Sequence, residues 1–171
     1  MADLLTHVLV PFVLLTPLRW RLDWLSKRWI VLAMAGAAIP DLVKIDLVLD
    51  NGVIQTTLGV PFSYDPISTL GGVLVIAGAI ALCFGEARRR VYGYLVFGGL
   101  ASLVLDGLRV FVDGQANFWL YPFVWRRPPT PSLYVSSDPR GLAVTLAVSA
   151  LVFLLDRYRD TWSEKYARSG I

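Results

Sequence analysis

The stretch "AGAAIPDLVKID", residues 35–46, decides how the chain is read. It sits inside the apolar run Trp29 to Leu49, yet it places Asp41, Lys44 and Asp46 within one and a half helical turns. Why an apolar helix should carry two acids and a base is answered only by the rest of the chain.

Of 171 residues, 56% are hydrophobic and only 17% are charged, against about 25% charged for a typical soluble domain. Mean hydropathy is +0.58. A surface facing water cannot be built from this composition, so the expected class is all-α, a polytopic membrane helix bundle in one domain, residues 1–171. The net charge of +3 is then a matter of loop placement rather than of nucleic-acid binding. The single Cys83 rules out an internal disulfide, and its apolar flanks predict a buried, inert thiol. The start "MADLLTH" has no basic n-region, so the first apolar run is expected to be a mature helix.

Apolar runs predict five spans, at about 4–18, 29–49, 67–84, 91–112 and 142–155. Turn signals separate them: "LDNG" closes the second, "PFSYDP" precedes the third, and "FGEARRR" joins the third to the fourth. Pro11 and Pro40 fall inside helical runs, where each removes an amide donor. Eleven of the sixteen basic residues fall on one side of a five-span arrangement: Arg19, Arg21, Lys27 and Arg28, then Arg88, Arg89 and Arg90, then Arg157, Arg159, Lys165 and Arg168. The positive-inside rule therefore predicts a multi-pass cell-membrane protein, N-terminus outside and C-terminus cytoplasmic. The outer segment 113–140 is rich in aromatics and proline. It reads either as an interfacial anchor or as a lid over an outer site, with Arg126 and Arg127 available to an anionic group.

Ionisable residues inside a membrane are costly and mark sites. His7, Asp41, Asp106, Ser68 with Thr69, and Ser102 are expected at one depth in the outer half of the bundle. Three chemistries fit these residue types: a metal site, interhelical hydrogen-bond glue, or a Ser–His–Asp triad. No nucleophile elbow accompanies the serines.

The ordered set "LLTHVLV" with His7, "IPDLVKID" with Asp41, "DPISTLGG" with Ser68, "ASLVLD" with Ser102 and Asp106, and then "FWLYP" resembles the membrane-bound metal-dependent hydrolase family over roughly residues 1–125. In that family's pattern a His stands at the positions of Ser68 and Ser102. The resemblance implies His7, Asp41 and Asp106 as metal ligands, with Ser68 and Ser102 hydrogen-bonding to them or holding a water. It also implies a divalent metal, zinc in the family, acting on a lipid-linked or phosphate-ester substrate at the extracytoplasmic face. A serine hydroxyl is a poor zinc ligand. The alternative is a catalytically degenerate relative that serves as a non-enzymatic subunit or scaffold in a homo- or hetero-oligomeric membrane complex. Asp41 has Lys44 at i+3, and Asp106 has Arg109 at i+3. Residues three apart share a helix face, so these cations are expected to neutralise the two carboxylates, or else to snorkel outward.

Overall fold

The computed structural model describes residues 2–135 and 138–169, with side chains from 4 to 162; Lys165 and Arg168 of the basic tail fall outside the described side chains. Among the described residues the chain is all-helical and without β-strands. The helices are α1 (Ala2–Arg19), α2 (Lys27–Ala37), α3 (Asn51–Leu58), α4 (Leu70–Leu82), α5 (Arg88–Leu108) and α6 (Pro139–Ser169), with 3₁₀ turns at Pro40–Leu47, Asp65–Ser68 and Gly85–Ala87.

Helix α5 is central. It packs most extensively on α2, then on α4 and α1, while α1 also holds α6. The reason lies in a small-residue seam. A Cβ on Gly98 would stand 1.8 Å from the Ala33 carbonyl oxygen, and one on Gly36 would stand 2.1 Å from that of Leu95. Glycine at these positions lets the α2 and α5 backbones touch, as small residues do between membrane helices. Around the seam, Ala33, Val73, Ala77, Val91, Leu95 and Leu103 form the core.

Three expectations need revision. The second apolar run is not one helix over 29–49. α2 stops at Ala37, and Pro40, which has no amide hydrogen to extend it, opens a 3₁₀ turn that carries Asp41. "LDNG" does not close a helix but opens one: the Asp50 carboxylate accepts from Gly52 N at 2.8 Å, and Gly59 ends α3 at φ +66°. Cys83 is exposed rather than buried. The buried stripe of α4 runs Val73, Ala77, Ala81 at i+4 spacing, and Cys83 caps the helix off that stripe.

Among the described residues, only Gly85–Leu108 and Pro139–Trp162 are long and apolar enough to cross a membrane, at 24 residues each; Leu4–Arg19 and Leu70–Leu82 are shorter apolar helices.

Candidate functional site

On α1, His7, Pro11 and Leu15 repeat at i+4 and are buried against the bundle. On α5, Leu95, Gly98, Gly99 and Ser102 form the facing stripe, and Asp106 follows one turn later. These two faces meet at the imidazole of His7, which is 1% exposed. Its Nδ1 lies 2.9 Å from Ser102 Oγ. Asp41 Oδ2 stands 3.9 Å from the same nitrogen, and Asp106 Oδ1 stands 3.8 Å from Nε2. The predicted cations are in place. Lys44 Nζ is 2.5 Å from Asp41 Oδ1, and an Arg109 terminal nitrogen is 3.7 Å from Asp106 Oδ1. His7 Nε2 and Asp41 Oδ2 are buried and make no hydrogen bond among the described residues.

The arrangement constrains the tautomer. With a carboxylate facing Nε2, the proton is best held there, and the Ser102 hydroxyl then donates to Nδ1. A metal on Nε2 requires the reverse, Nδ1–H donating to Ser102 Oγ. Such a metal would meet one imidazole and Asp106. Asp41 stands nearest the opposite nitrogen, and both acids already face a cation. Zinc sites use three or four protein ligands, and no cluster of three or more His, Cys, Asp or Glu suited to a metal occurs among the described residues. The donor set does not fit zinc.

A triad fits no better. Ser102 is fully buried in the middle of α5. The amides around it serve the helix, so no oxyanion donors flank the hydroxyl.

Ser68 is not among the groups that touch His7. Its hydroxyl donates to the Asp65 carbonyl at 3.0 Å. It lines a separate cavity of about 540 Å³ between the turn at Asp65–Ser68, the start of α4 and the segment after α5. That segment is strapped to α4 by Leu70 N donating to Trp119 O at 2.7 Å and Gly71 N donating to Tyr121 O at 2.8 Å. Arg127 lines the cavity too, but its donors serve the fold: Asp113 Oδ2 at 2.5 Å, Ala116 O at 3.1 Å and Gln115 O at 2.9 Å. The Gln115 amide together with Arg127 holds the Asp113 carboxyl below its ordinary value of 3.8. Arg126 is exposed.

Neither family models, curated proteins nor solved structures match this chain.

One cluster escaped sequence reasoning. Asp156, 7% exposed near the end of the apolar part of α6, bonds Arg19 and accepts from Trp20 Nε1 at 2.9 Å. Asp160 accepts from Lys27 Nζ at 2.5 Å. The signal that could have found it was an acid ending a fourteen-residue apolar run, opposite two loop cations already noted.

Proposed function

We propose that the chain is a multi-pass membrane protein whose polar centre is internally neutralised, and that it serves as a non-enzymatic subunit or scaffold, a degenerate relative of the membrane-bound metal-dependent hydrolases. Membrane residence is supported by exposure. Only 17% of the apolar window in Pro139–Trp162 is buried, whereas the core helix of a water-soluble protein is mostly buried. Val144, Leu151, Phe153 and Leu154 on that helix are all exposed. At 1.5 Å per residue its 24 residues reach about 36 Å, enough for a hydrocarbon core of about 30 Å. Five spans, with the N-terminus outside, complete the proposal on the strength of the basic-residue distribution.

The observation that carries the non-catalytic reading is the ion pair of Lys44 with Asp41 at 2.5 Å. It occupies a carboxylate that the hydrolase reading needs for metal, and it puts an ammonium where a dication would be repelled. A second reading, hydrolysis of a lipid-linked or phosphate ester, draws support from the unpartnered His7 Nε2 and Asp41 Oδ2, since buried polar atoms normally have partners. Elemental analysis of the purified protein separates the two. Substoichiometric zinc that does not change in His7→Ala is expected. Stoichiometric metal lost in His7→Ala would favour the hydrolase.

A further inference from the structure

The cavity beside Ser68 carries chemistry that the His7 centre does not use. Its volume, about 540 Å³, lies in the range of small-molecule sites. One wall is aromatic. Tyr121 and Trp125 meet edge to face, with centroids 4.9 Å apart and planes at 79°, and Phe118 adds a third ring. Two rings at right angles form a corner, and a group placed in it meets ring faces or edges from two directions.

The charge in the cavity depends on which groups already have partners. Arg127 is neutralised by Asp113 and gives its other donors to two backbone carbonyls. Asp65 has no basic partner among the described residues. Among the described residues its carboxylate accepts only from the Ser63 hydroxyl, at 2.8 Å. The uncompensated charge is therefore negative. An anionic ligand, the expectation drawn from Arg126 and Arg127, meets an occupied guanidinium and an open carboxylate.

We infer that this cavity binds an alkylammonium group, with Asp65 supplying the counter-charge and Tyr121, Trp125 and Phe118 supplying cation–π contact. Ring faces carry negative potential, and recognition of quaternary ammonium by aromatic side chains follows from it. The same group is carried by free quaternary ammonium compounds such as choline and by zwitterionic lipid headgroups. A site strapped to the start of α4, at the outer end of the bundle in the proposed topology, is open to either. The inference does not depend on whether the His7 centre is catalytic.

The test is a titration of the full chain, purified in detergent, with choline and with its neutral carbon isostere 3,3-dimethylbutan-1-ol, read by tryptophan fluorescence and calorimetry. Saturable choline binding is expected, with the isostere at least tenfold weaker. Asp65→Asn should weaken choline at least tenfold. Trp125→Leu should do the same, and because Trp125 is 71% exposed the variant should fold; an unchanged thermal transition checks that. Trp125→Phe should retain most of the affinity. Repeating the titration in nanodiscs distinguishes the sources. Choline weakened by phosphatidylcholine relative to phosphatidylglycerol identifies the headgroup, and equal affinity in both identifies a free alkylammonium compound. Equal binding of choline and the isostere, no effect of Asp65→Asn, displacement of choline by inorganic phosphate, or no choline binding would each overturn the inference.

Discussion

Ser102 Oγ on α5 and His7 Nδ1 on α1 meet at 2.9 Å across 95 residues of sequence, with both side chains closed to solvent. A lone hydrogen bond between buried groups is worth most when its loss strands a partner. Ser102→Ala leaves Nδ1 without its donor and is expected to cost about 1–3 kcal/mol. His7→Ala is expected to cost more, because it adds a cavity and leaves Asp41 and Asp106 facing an apolar gap. The double variant should show a coupling of about 0.5–3 kcal/mol. Denaturant unfolding in detergent measures all three, and simple additivity would show that the contact does not stabilise the fold.

The seam between α2 and α5 makes a sharper forecast. Gly98→Ala drives a Cβ to 1.8 Å from the Ala33 carbonyl oxygen and 2.8 Å from the Ala37 nitrogen. Both are backbone atoms and cannot swing aside, so the helices must part. A loss of about 3 kcal/mol or more is expected, at the upper end of overpacking effects. Gly93, on the same helix, has open space where a methyl would stand, with nothing within 4 Å. Gly93→Ala should be neutral or stabilising by up to about 1 kcal/mol. Similar melting temperatures for the two alanine variants would refute the seam.

These two sites also show what the sequence revealed. Apolar runs located α1, α4 and α5 within a few residues, because in an apolar chain helix length follows hydrophobic length; the run 142–155 marked the start of α6 but not its polar continuation to Ser169. The i+3 pairs Asp41–Lys44 and Asp106–Arg109 were legible because helical spacing alone brings them together. The meeting of His7 with Ser102 was only half legible: matching depth was expected, whereas the facing of two particular helix stripes depends on the glycine seam. Ser68 went elsewhere because α4 starts at Leu70, after the turn that holds Ser68 against Asp65. α3 was invisible because Asp50, Asn51 and Gly52 serve a turn as well as they serve an N-cap.

At the other end of the bundle, Asp156 and Lys27 should respond very differently to substitution. Asp156 is buried and bonds Arg19 and Trp20. Asp156→Asn is expected to cost about 1–3 kcal/mol by leaving the guanidinium poorly matched. Lys27 is mostly exposed, and Lys27→Gln should cost under about 1 kcal/mol. Its bond to Asp160 raises its pKa above 10.5. The stabilisation is therefore present at neutral pH and lost as pH rises through that raised value. Unfolding measured between about pH 7 and 12 checks this: the alkaline loss should be smaller in Lys27→Gln.

The segment after α5 has the opposite pH response. Asp113 titrates below 3.8, held down by the Gln115 amide and by Arg127. A depressed carboxylate contributes stability above its unfolded pKa, and that contribution disappears as pH falls through the folded value. The latch between Asp113 and Arg127 should thus hold at about pH 5 and open as pH falls below 3.8. Quenching of tryptophan fluorescence by acrylamide, followed from about pH 6 to 2.5, should rise in that window. Arg127→Gln should show high quenching already at the start of the titration. A flat profile in the unmodified protein would mean that the pair does not hold the segment.

Orientation gives the last forecast, and it tests the membrane proposal as a whole. Arg88, Arg89 and Arg90 begin α5, while the segment carrying Arg126 follows its other end. If α5 crosses the bilayer, these two groups lie on opposite sides. The basic excess between α1 and α2, at the start of α5 and in the C-terminal part of α6 predicts a cytoplasmic first group. Single cysteines at 89 and 126 can report this, provided that Cys83 is first changed to serine. That step is needed because Cys83 is exposed and stands close to the label at 89. An impermeant maleimide added to intact cells should label the cysteine at 126 and spare the one at 89, with both labelled after the cells are opened. The reverse pattern would invert the topology. Labelling of both in intact cells would mean that α5 does not span, which would remove the support for five spans.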